Sequence, residues 1–215
     1  MADKQMREVY TDTLIALAEE DPQIVVMEAD LMRATATNPF KDRFPERTFN
    51  VGVAEANMVG VAAGLSSTGK IPFAATFACF AARRTYDQFF ISANYAQLNV
   101  KLVGTDPGVT AAYNGGTHMP FEDLGLMRNV PKLIVVEPSD PVSLAALIPQ
   151  LAYHEGCTYL RLHRRLLPTL HDESTEFELG KGVVMREGDD VTLIAIGGVV
   201  VGEALKAADA LAEEG

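Results

Sequence analysis

The sequence contains no tryptophan and only two cysteines, Cys79 and Cys157, among its 215 residues. The two cysteines lie far apart and have no CxxC spacing, which disfavours both a disulfide framework and a zinc site. Free thiols are typical of proteins in a reducing compartment. We therefore expect a cytoplasmic protein.

The chain also lacks a long apolar run and an excess of positive charge. Its most apolar run, residues 72–82, is too short to span a bilayer, which needs roughly 20 residues. The N-terminus has no apolar stretch of signal-peptide length behind a basic start. The formal net charge of −11 disfavours binding to nucleic acid or to a membrane surface.

What the sequence does contain is a regular alternation of predicted helices and strands. The spacing of apolar residues predicts helices over 4–20, 55–67, 81–96 and 141–153. Apolar runs predict strands over 24–28, 48–53, 72–77, 101–105, 133–137 and 158–162. Irregular stretches are expected over 38–45 and 106–120. Because several strands are continuously apolar, the pattern predicts an α/β fold, with a doubly wound, mostly parallel sheet and helices on both faces.

The predicted elements divide the chain into three parts. Residues 1–170 form the main domain, and residues 171–188 form a polar linker. Residues 189–215 look like the beginning of a further α/β domain, with a strand over 189–197 and a helix over 200–213. A single strand and helix cannot bury their own apolar faces, so we expect this last unit to be truncated or to pack on the main domain.

Two motifs follow one another in the main domain. The first is ERTFNVGVAEANMVGVAAGLSSTGKIPFAATFACF at residues 46–80, and the second is GTHMPFEDLGLMRNVP at residues 116–131. Together they resemble the pyrimidine-binding domain of the transketolase family. The E-A-N-M form of the first motif is similar to the C-terminal subunits of split transketolases. The resemblance covers about residues 5–170 and implies the pyrimidine type of thiamine-diphosphate-binding fold; residues 189–214 resemble the start of the family's C-terminal domain.

Glu55 is the residue that the resemblance places at the centre of catalysis. Thiamine diphosphate becomes a nucleophile when its thiazolium C2 loses a proton to the cofactor's own 4′-amino group, which accepts that proton only as the imino tautomer. A carboxylate bonded to pyrimidine N1′ stabilises this tautomer, and the resemblance implies this role for Glu55. Because Glu55 also begins a predicted helix, where the dipole favours an anion, an acidic helix cap is the alternative.

The resemblance assigns three further residues to the cofactor. Phe77 and Phe80 would pack on the aminopyrimidine, where an aromatic contact contributes about 1 kcal/mol beyond area burial. Ordinary core packing is the alternative for either ring, and Phe77 is the preferred candidate. Asp30, in M-E-A-D-L, would lie near the thiazolium end of the cofactor, with a turn residue after a strand as its alternative.

The resemblance also implies a substrate site. His118 would bind or protonate the oxygen next to the donor carbonyl, although a lone loop histidine is commonly a surface residue. Arg7 and Arg164 are similar to the family's phosphate-binding arginines, and a planar guanidinium suits a sugar-phosphate tail because it binds two oxygens at once. The alternatives are a solvated helix face for Arg7 and a strand-end cation for Arg164.

The chain departs from the family's pattern close to this site. Where transketolases commonly carry an acidic pair before glycine, this sequence has Tyr113 and Asn114. Asn114 would still bind a donor hydroxyl but would offer no charge. Thr105 stands where many transketolases have a histidine, and Arg83 where some have a tyrosine. These differences point either to a changed sugar specificity or to a loss of activity.

One segment of a complete enzyme of this class is missing from the sequence. The class holds a divalent metal on the cofactor diphosphate through G-D-G, followed about 25–30 residues later by an asparagine. Since this chain has no G-D-G, we expect no metal ligand in it. The Mg²⁺ ion and the diphosphate would belong to an N-terminal, diphosphate-binding transketolase subunit, and the two subunits would form a heterotetramer with two copies of each.

The resemblance thus implies a subunit of a thiamine-diphosphate-dependent transferase, active only with its partner. The reaction would move a two-carbon ketol unit between sugar phosphates. Two enzymatic alternatives are a deoxyxylulose-phosphate synthase and the beta subunit of a 2-oxo acid dehydrogenase, which uses the same domain but lacks the G-T-H segment. A third is a degenerate, non-catalytic module of the same fold, favoured by Thr105 and Asn114 and opposed by Glu55 and His118.

Overall fold

The computed structural model describes residues 4–214; residues 1–3 and 215, which the predicted domains include, lie outside that range. The sheet has six strands in the order β2-β1-β3-β4-β6-β5, and every pairing is parallel. The strands are β1 Ile24–Glu28, β2 Thr48–Asn50, β3 Ile71–Phe77, β4 Lys101–Thr105, β5 Ile134–Val136 and β6 Thr158–Leu162. The predicted parallel α/β sheet is confirmed.

Helices connect the strands and cover both faces of the sheet. They are α1 Met6–Glu20, α2 Met32–Thr35, α3 Asn38–Arg43, α4 Glu55–Ser67, α5 Ala78–Arg83, α6 Tyr86–Gln88, α7 Asp123–Met127, α8 Pro141–Tyr153 and α9 Gly198–Glu214. One apolar core lies between the sheet and the pair α1 and α8, and a second lies on the opposite face against α4 and α5. Because both faces are covered, β1 and β4 are buried along their whole length.

Several predicted elements have the predicted bounds. Strands 24–28, 101–105 and 158–162 and helices 55–67 and 141–153 coincide with the observed elements. The start of α8 shows why this helix was readable: the Asp140 side chain accepts a hydrogen bond from the Ser143 amide at 2.8 Å, and Pro141 occupies the first turn. An N-cap followed by proline is a local signal that needs no tertiary context.

Other predicted elements were wrong in extent. The helix predicted over 81–96 is divided into α5, α6 and a π-helical segment at Phe89–Tyr95. The division falls at Thr85, whose hydroxyl donates to the Ala81 carbonyl at 2.6 Å and so competes with the helical ladder. The stretch 38–45, predicted to be irregular, contains α3. Strand 48–53 ends at Asn50, because Gly52 takes a left-handed conformation at φ 75°.

The strand predicted over 189–197 is also wrong. This segment has no regular secondary structure, and its apolar side chains are largely exposed, with Ile194 at 94%. A strand needs a neighbour to satisfy its backbone groups, and within residues 4–214 no strand pairs with it. The helix predicted over 200–213 is present as α9, but of its residues only Gly198 and Val201 are buried.

Across the described range 4–214, every helix is too short or too polar to cross a bilayer.

Candidate active site

The candidate residues gather at one edge of the sheet, where the parallel strands have their carboxyl ends. In doubly wound sheets this edge is the usual place for a ligand site. Asp30 follows β1, Glu55 follows β2, Phe77 ends β3 and Arg164 follows β6. The start of α1 reaches the same edge, because the Arg7 amide donates to the Arg164 carbonyl at 3.4 Å. Residues distant in the sequence therefore meet here.

Glu55 is the first residue of α4 and only 2% exposed. Its carboxylate is not without a partner. Both oxygens accept from Nη1 of Arg84, at 2.8 and 2.9 Å. The Arg84 side chain is itself about half exposed, so the pair lies at the boundary between the interior and the surface.

An aromatic wall stands beside Glu55. The rings of Phe77 and Phe80 lie 6.1 Å apart between centroids, at an interplanar angle of 30°. The Arg84 guanidinium carbon lies 4.3 Å from the centre of the Phe80 ring, within the range of a cation–π contact. Glu55, Arg84 and the two phenylalanine rings therefore form one continuous surface.

His118 completes this surface. Its ring meets Phe80 edge-on with centroids 5.1 Å apart and Phe77 edge-on at 5.8 Å. Its Nδ1 lies 2.8 Å from the Thr117 hydroxyl, which leaves Nε2 as the nitrogen that can face a ligand. The imidazole lies in a 3₁₀ turn at Gly116–His118. The structure thus brings His118 to the same wall as Glu55, although neither motif contains both residues.

A second region of this edge is a cavity of about 680 Å³ lined by guanidinium groups. Its lining includes four arginines, Arg7, Arg33, Arg164 and Arg165. Asp30 contributes the one carboxylate among the residues that line it. The cavity is therefore positively charged in a chain whose net charge is −11, a contrast that favours an anionic ligand at this place.

Two arginines of this cavity, Arg164 and Arg7, contact buried or backbone groups of the same chain. Arg164 Nε lies 3.1 Å from the fully buried Asp106 carboxylate, though without hydrogen-bond geometry to it. Burial raises the pKa of Asp106, and the charges of Arg164, Arg7 and Arg165 oppose that rise. Arg7 is fixed through Nη1, which donates to the Ala34 carbonyl at 2.9 Å. The guanidinium groups are thus oriented by contacts inside the chain.

The remaining predicted residues lie around these two regions. Asp30 has a left-handed backbone at φ 62°, and its amide donates to the Asn50 side chain at 3.0 Å. It lines the guanidinium cavity together with Arg7. Asn114 is exposed in a 3₁₀ turn, and Thr105 is fully buried with its hydroxyl unpaired in the described range.

Sequence reasoning missed Arg84 and Arg33. Nothing in the spacing of the R-R pair at the end of an apolar run says which arginine turns inward to a glutamate 29 positions away. Arg33 lies on the short helix α2, whose four residues carry no usable periodicity. The one signal in the sequence that could have indicated them is the number of arginines, since Arg7 and Arg164 were already predicted to bind an anion.

Within residues 4–214, no group of three or more His, Cys, Asp or Glu side chains is arranged as a metal site. The donor set that is present consists of one buried carboxylate, aromatic rings, an imidazole and guanidinium groups. Such a set suits a heteroaromatic ring and an anionic tail. The fold and this edge therefore define an α/β domain whose candidate site suits an organic cofactor.

Comparison with known proteins agrees with that class and narrows it. The family model described as "Transketolase, pyrimidine binding domain" matches residues 2–169. The match covers well over half of the chain, and it includes Glu55, Phe77, Phe80 and His118. The chain belongs to the transketolase family and carries that family's pyrimidine-binding domain.

Similar proteins include subunits of split transketolases. The chain is 50% identical over 210 residues to the 6-deoxy-6-sulfo-D-fructose transketolase subunit SqwH of Clostridium sp. strain MSTE9, and covers 65% of it with 98% of its own length. It is 42% identical over 214 residues to a putative transketolase C-terminal section of Methanocaldococcus jannaschii, of which 99% of this chain covers 67%. The chain thus spans about two thirds of the length of these relatives.

A solved structure gives the same picture. A split-gene transketolase, determined as an inactive beta4 tetramer, superposes with a TM-score of 0.88 at 44% identity. The match covers 98% of this chain and 68% of that one. The resemblance inferred from the two motifs is therefore confirmed.

Proposed function

We propose that the chain is a subunit of a thiamine-diphosphate-dependent transketolase that moves a two-carbon ketol unit between sugars with an anionic tail. The observation that carries this proposal is the position of buried Glu55 at the carboxyl edge of the sheet, where Arg84 connects it to Phe80 and Phe80 meets His118. Family membership supports the same conclusion. The observed donor set fits the pyrimidine end of the cofactor, which needs a carboxylate at a ring nitrogen and an aromatic face.

The cofactor, when bound, supplies the carbon nucleophile. In this chain, Glu55 would hold a proton-accepting carboxylate at pyrimidine N1′, where it assists general acid–base chemistry. Phe77 and Phe80 would orient the ring and exclude water from it. His118 would bind or protonate the oxygen next to the donor carbonyl, with its Nδ1 side occupied by Thr117.

Arg7 and Arg164 would bind the anionic tail of the sugar, with Arg33 and Arg165 adding charge to the same cavity. Guanidinium groups bind the oxygens of tetrahedral anions bidentately, so both a phosphate and a sulfonate suit this cavity. The name of one relative specifies a sulfonated sugar, which makes a sulfonated ketose a second substrate to test beside a ketose phosphate. Asn114 lies on the exposed turn before His118 and would bind a donor hydroxyl.

The chain would work with a partner that holds Mg²⁺ and the diphosphate. Two observations support this proposal: the sequence lacks a G-D-G segment, and a similar subunit was solved as an inactive beta4 tetramer. An N-terminal, diphosphate-binding subunit would supply the missing end of the site, and two copies of each would form a heterotetramer. We place the assembly in the cytoplasm, in keeping with two free, buried cysteines.

We also propose that residues 1–170 are the pyrimidine-binding domain, 171–188 a linker and 189–215 the beginning of a C-terminal domain. The exposed apolar side chains of residues 191–196 support the last part, because additional strands beside this segment would bury them. Limited proteolysis between residues 171 and 188, followed by a stability measurement on the larger product, tests these boundaries.

The test of the proposed function is a reconstitution. Thiamine diphosphate with Mg²⁺ is titrated calorimetrically into the purified chain, into the diphosphate-binding subunit and into their mixture. We expect tight, Mg²⁺-dependent binding and ketol transfer only in the mixture, with a ketose phosphate and a 6-sulfonated ketose assayed as donors. Tight binding to the isolated chain would overturn the divided site. Binding by the mixture without transfer from either donor would support the non-catalytic module instead.

A further inference from the structure

Arg83 and Arg84 are adjacent residues at the end of α5, yet their side chains reach different parts of the site. The body of this helix is rigidly placed, since Ala78, Cys79, Ala81 and Ala82 are all fully buried. Successive residues of a helix point in directions about 100° apart. The two guanidinium groups therefore diverge from one firmly anchored segment.

Arg84 reaches the start of α4. Its Nη1 donates to both oxygens of Glu55, while its guanidinium plane lies against the Phe80 ring. An ionised carboxylate can accept about four hydrogen bonds. Glu55 therefore retains acceptor capacity for a pyrimidine nitrogen while Arg84 holds it in place.

Arg83 reaches the loop that carries His118. Its Nη2 donates to the carbonyl of Thr117 at 2.9 Å. Its Nε donates to the Cys79 carbonyl at 3.3 Å and forms an ion pair, without hydrogen-bond geometry, with Glu122 Oε1 at 3.1 Å. Thr117 in turn contacts the His118 imidazole through its hydroxyl. Arg83 thus bridges both ends of the short segment between residues 117 and 122, which includes His118.

Phe80 lies one helical turn before these arginines and contacts the groups on both sides of the site. One contact is with the Arg84 guanidinium, and the other is with the edge of the His118 ring. Glu55 and His118 belong to separate motifs, and the contacts through α5 are the connection between them. A displacement of either arginine would therefore alter one side of the site without the other.

We propose that Arg83 and Arg84 are a pair of positioning residues, in which Arg84 orients the Glu55 carboxylate toward the cofactor ring and Arg83 fixes the loop that presents His118 to the sugar. This inference rests on the proposed function. It assigns no chemical step to either arginine. It divides their effects, because Arg84 acts on the cofactor and Arg83 acts on the sugar.

The experiment compares Arg84→Met, Arg84→Lys and Arg83→Met in the chain mixed with the diphosphate-binding subunit. Arg43→Met is the matched control, because Arg43 also pairs with a glutamate, Glu19, and lies near an aromatic ring, Phe44, but far from the site. The measurements are the thiamine-diphosphate dissociation constant by calorimetry, kcat, the KM of a ketose phosphate, and the thermal midpoint of the chain alone.

We expect Arg84→Met to weaken cofactor binding and to lower kcat, each about tenfold, the lower end for a hydrogen bond to a charged group, with the donor KM unchanged. Arg84→Lys should recover part of both losses. Arg83→Met should raise the donor KM or lower kcat about tenfold and leave cofactor affinity within about twofold. Arg43→Met should change none of these values.

Equal effects of Arg83→Met and Arg84→Met on cofactor affinity and donor KM would overturn the division, as would unchanged values in both. If Arg84→Met lowers the thermal midpoint strongly, Arg84→Lys takes its place in the comparison. Wild-type cofactor affinity and kcat in Arg84→Lys, together with wild-type donor KM and kcat in Arg83→Met, would also overturn the division. A wild-type mixture that neither binds the cofactor nor transfers ketol units would refute the proposed function itself. These two failures are therefore distinguishable.

Discussion

The backbone amide of Arg7 donates a hydrogen bond to the carbonyl oxygen of Arg164, at 3.4 Å. The contact joins the first turn of α1 to the segment after β6, so the beginning of the domain and its last strand meet at one cavity. The position of each arginine therefore depends on how α1 packs beside the end of β6.

Arg164→Ala is expected to raise the KM of a ketose phosphate more than that of its unphosphorylated analogue. The reason is the loss of a charge-assisted hydrogen bond, which contributes roughly 1.5–3 kcal/mol. The measurement is steady-state kinetics of the reconstituted enzyme with both donors. Because Arg164 also pairs with buried Asp106, Arg164→Lys, which keeps the charge, is the control for stability. Equal changes for both donors would show that Arg164 does not bind the phosphate.

Glu55→Gln is expected to lower the rate of the reconstituted enzyme by at least about 100-fold, the usual scale for loss of a general acid–base group. Glutamine keeps the shape of the side chain but cannot supply the anion. Glu19→Gln is a matched control, since Glu19 also pairs with an arginine but is half exposed and outside the site. A wild-type kcat in the Glu55→Gln enzyme would exclude Glu55 from catalysis.

Glu28 should make the stability of the chain depend on pH. Burial raises the pKa of Glu28 from 4.5 to about 7, although hydrogen bonds from Thr37 and Thr35 oppose the rise. Because the folded state holds this proton more tightly than the unfolded state, the contribution of Glu28 to stability is greatest below pH 4.5. It falls as the pH rises toward about 7, by about 3 kcal/mol in total.

Denaturant unfolding of the wild type and of Glu28→Gln between pH 4.5 and 7.5 measures this effect. As the pH rises, the unfolding free energy of the wild type should fall relative to that of the Gln variant. Glu20→Gln, at an exposed position of α1, should show no such shift. A pH-independent difference for Glu28→Gln would mean that the buried carboxyl titrates normally.

Gly104→Ala should destabilise the chain by about 1–3 kcal/mol, the usual cost of overpacking a filled core. A Cβ at position 104 would overlap the hydroxyl of fully buried Tyr159, which lies on the neighbouring strand β6. Gly60→Ala is the contrasting variant, because nothing lies within 4 Å of a Cβ there. At this exposed position of α4 it should stabilise by about 0.5–1 kcal/mol. Thermal or denaturant unfolding compares the two, and similar behaviour would contradict the packing seen at Gly104.

The fold was readable from the sequence to a large extent. Continuous apolar runs such as residues 24–28 and 101–105 are determined by burial on both faces of a parallel sheet, and the cap at Asp140 is determined by its nearest neighbours. Both signals are local or periodic, so they survive without knowledge of the tertiary structure. The two motifs also point to Glu55 and His118 as candidate residues, and the structure connects this pair through Arg84 and Phe80.

The elements that were predicted wrongly depend on contacts outside the segment's own periodicity. Residues 189–197 have the composition of a strand, but strand formation depends on a neighbouring strand to accept its hydrogen bonds. The division of the helix at Thr85 depends on a side chain that competes for one backbone carbonyl. Neither outcome is contained in the periodicity of the segment itself.

The sequence by itself determined the class of the fold, the order of its strands along the chain and the residue types available for chemistry. The tertiary structure decided which of those residues meet: that Arg84 rather than Arg83 pairs with Glu55, that Arg33 and Arg165 join Arg7 and Arg164, and that His118 faces Phe80. The physical reason is that these contacts connect segments far apart in sequence. Their geometry follows from how the sheet and its helices close together.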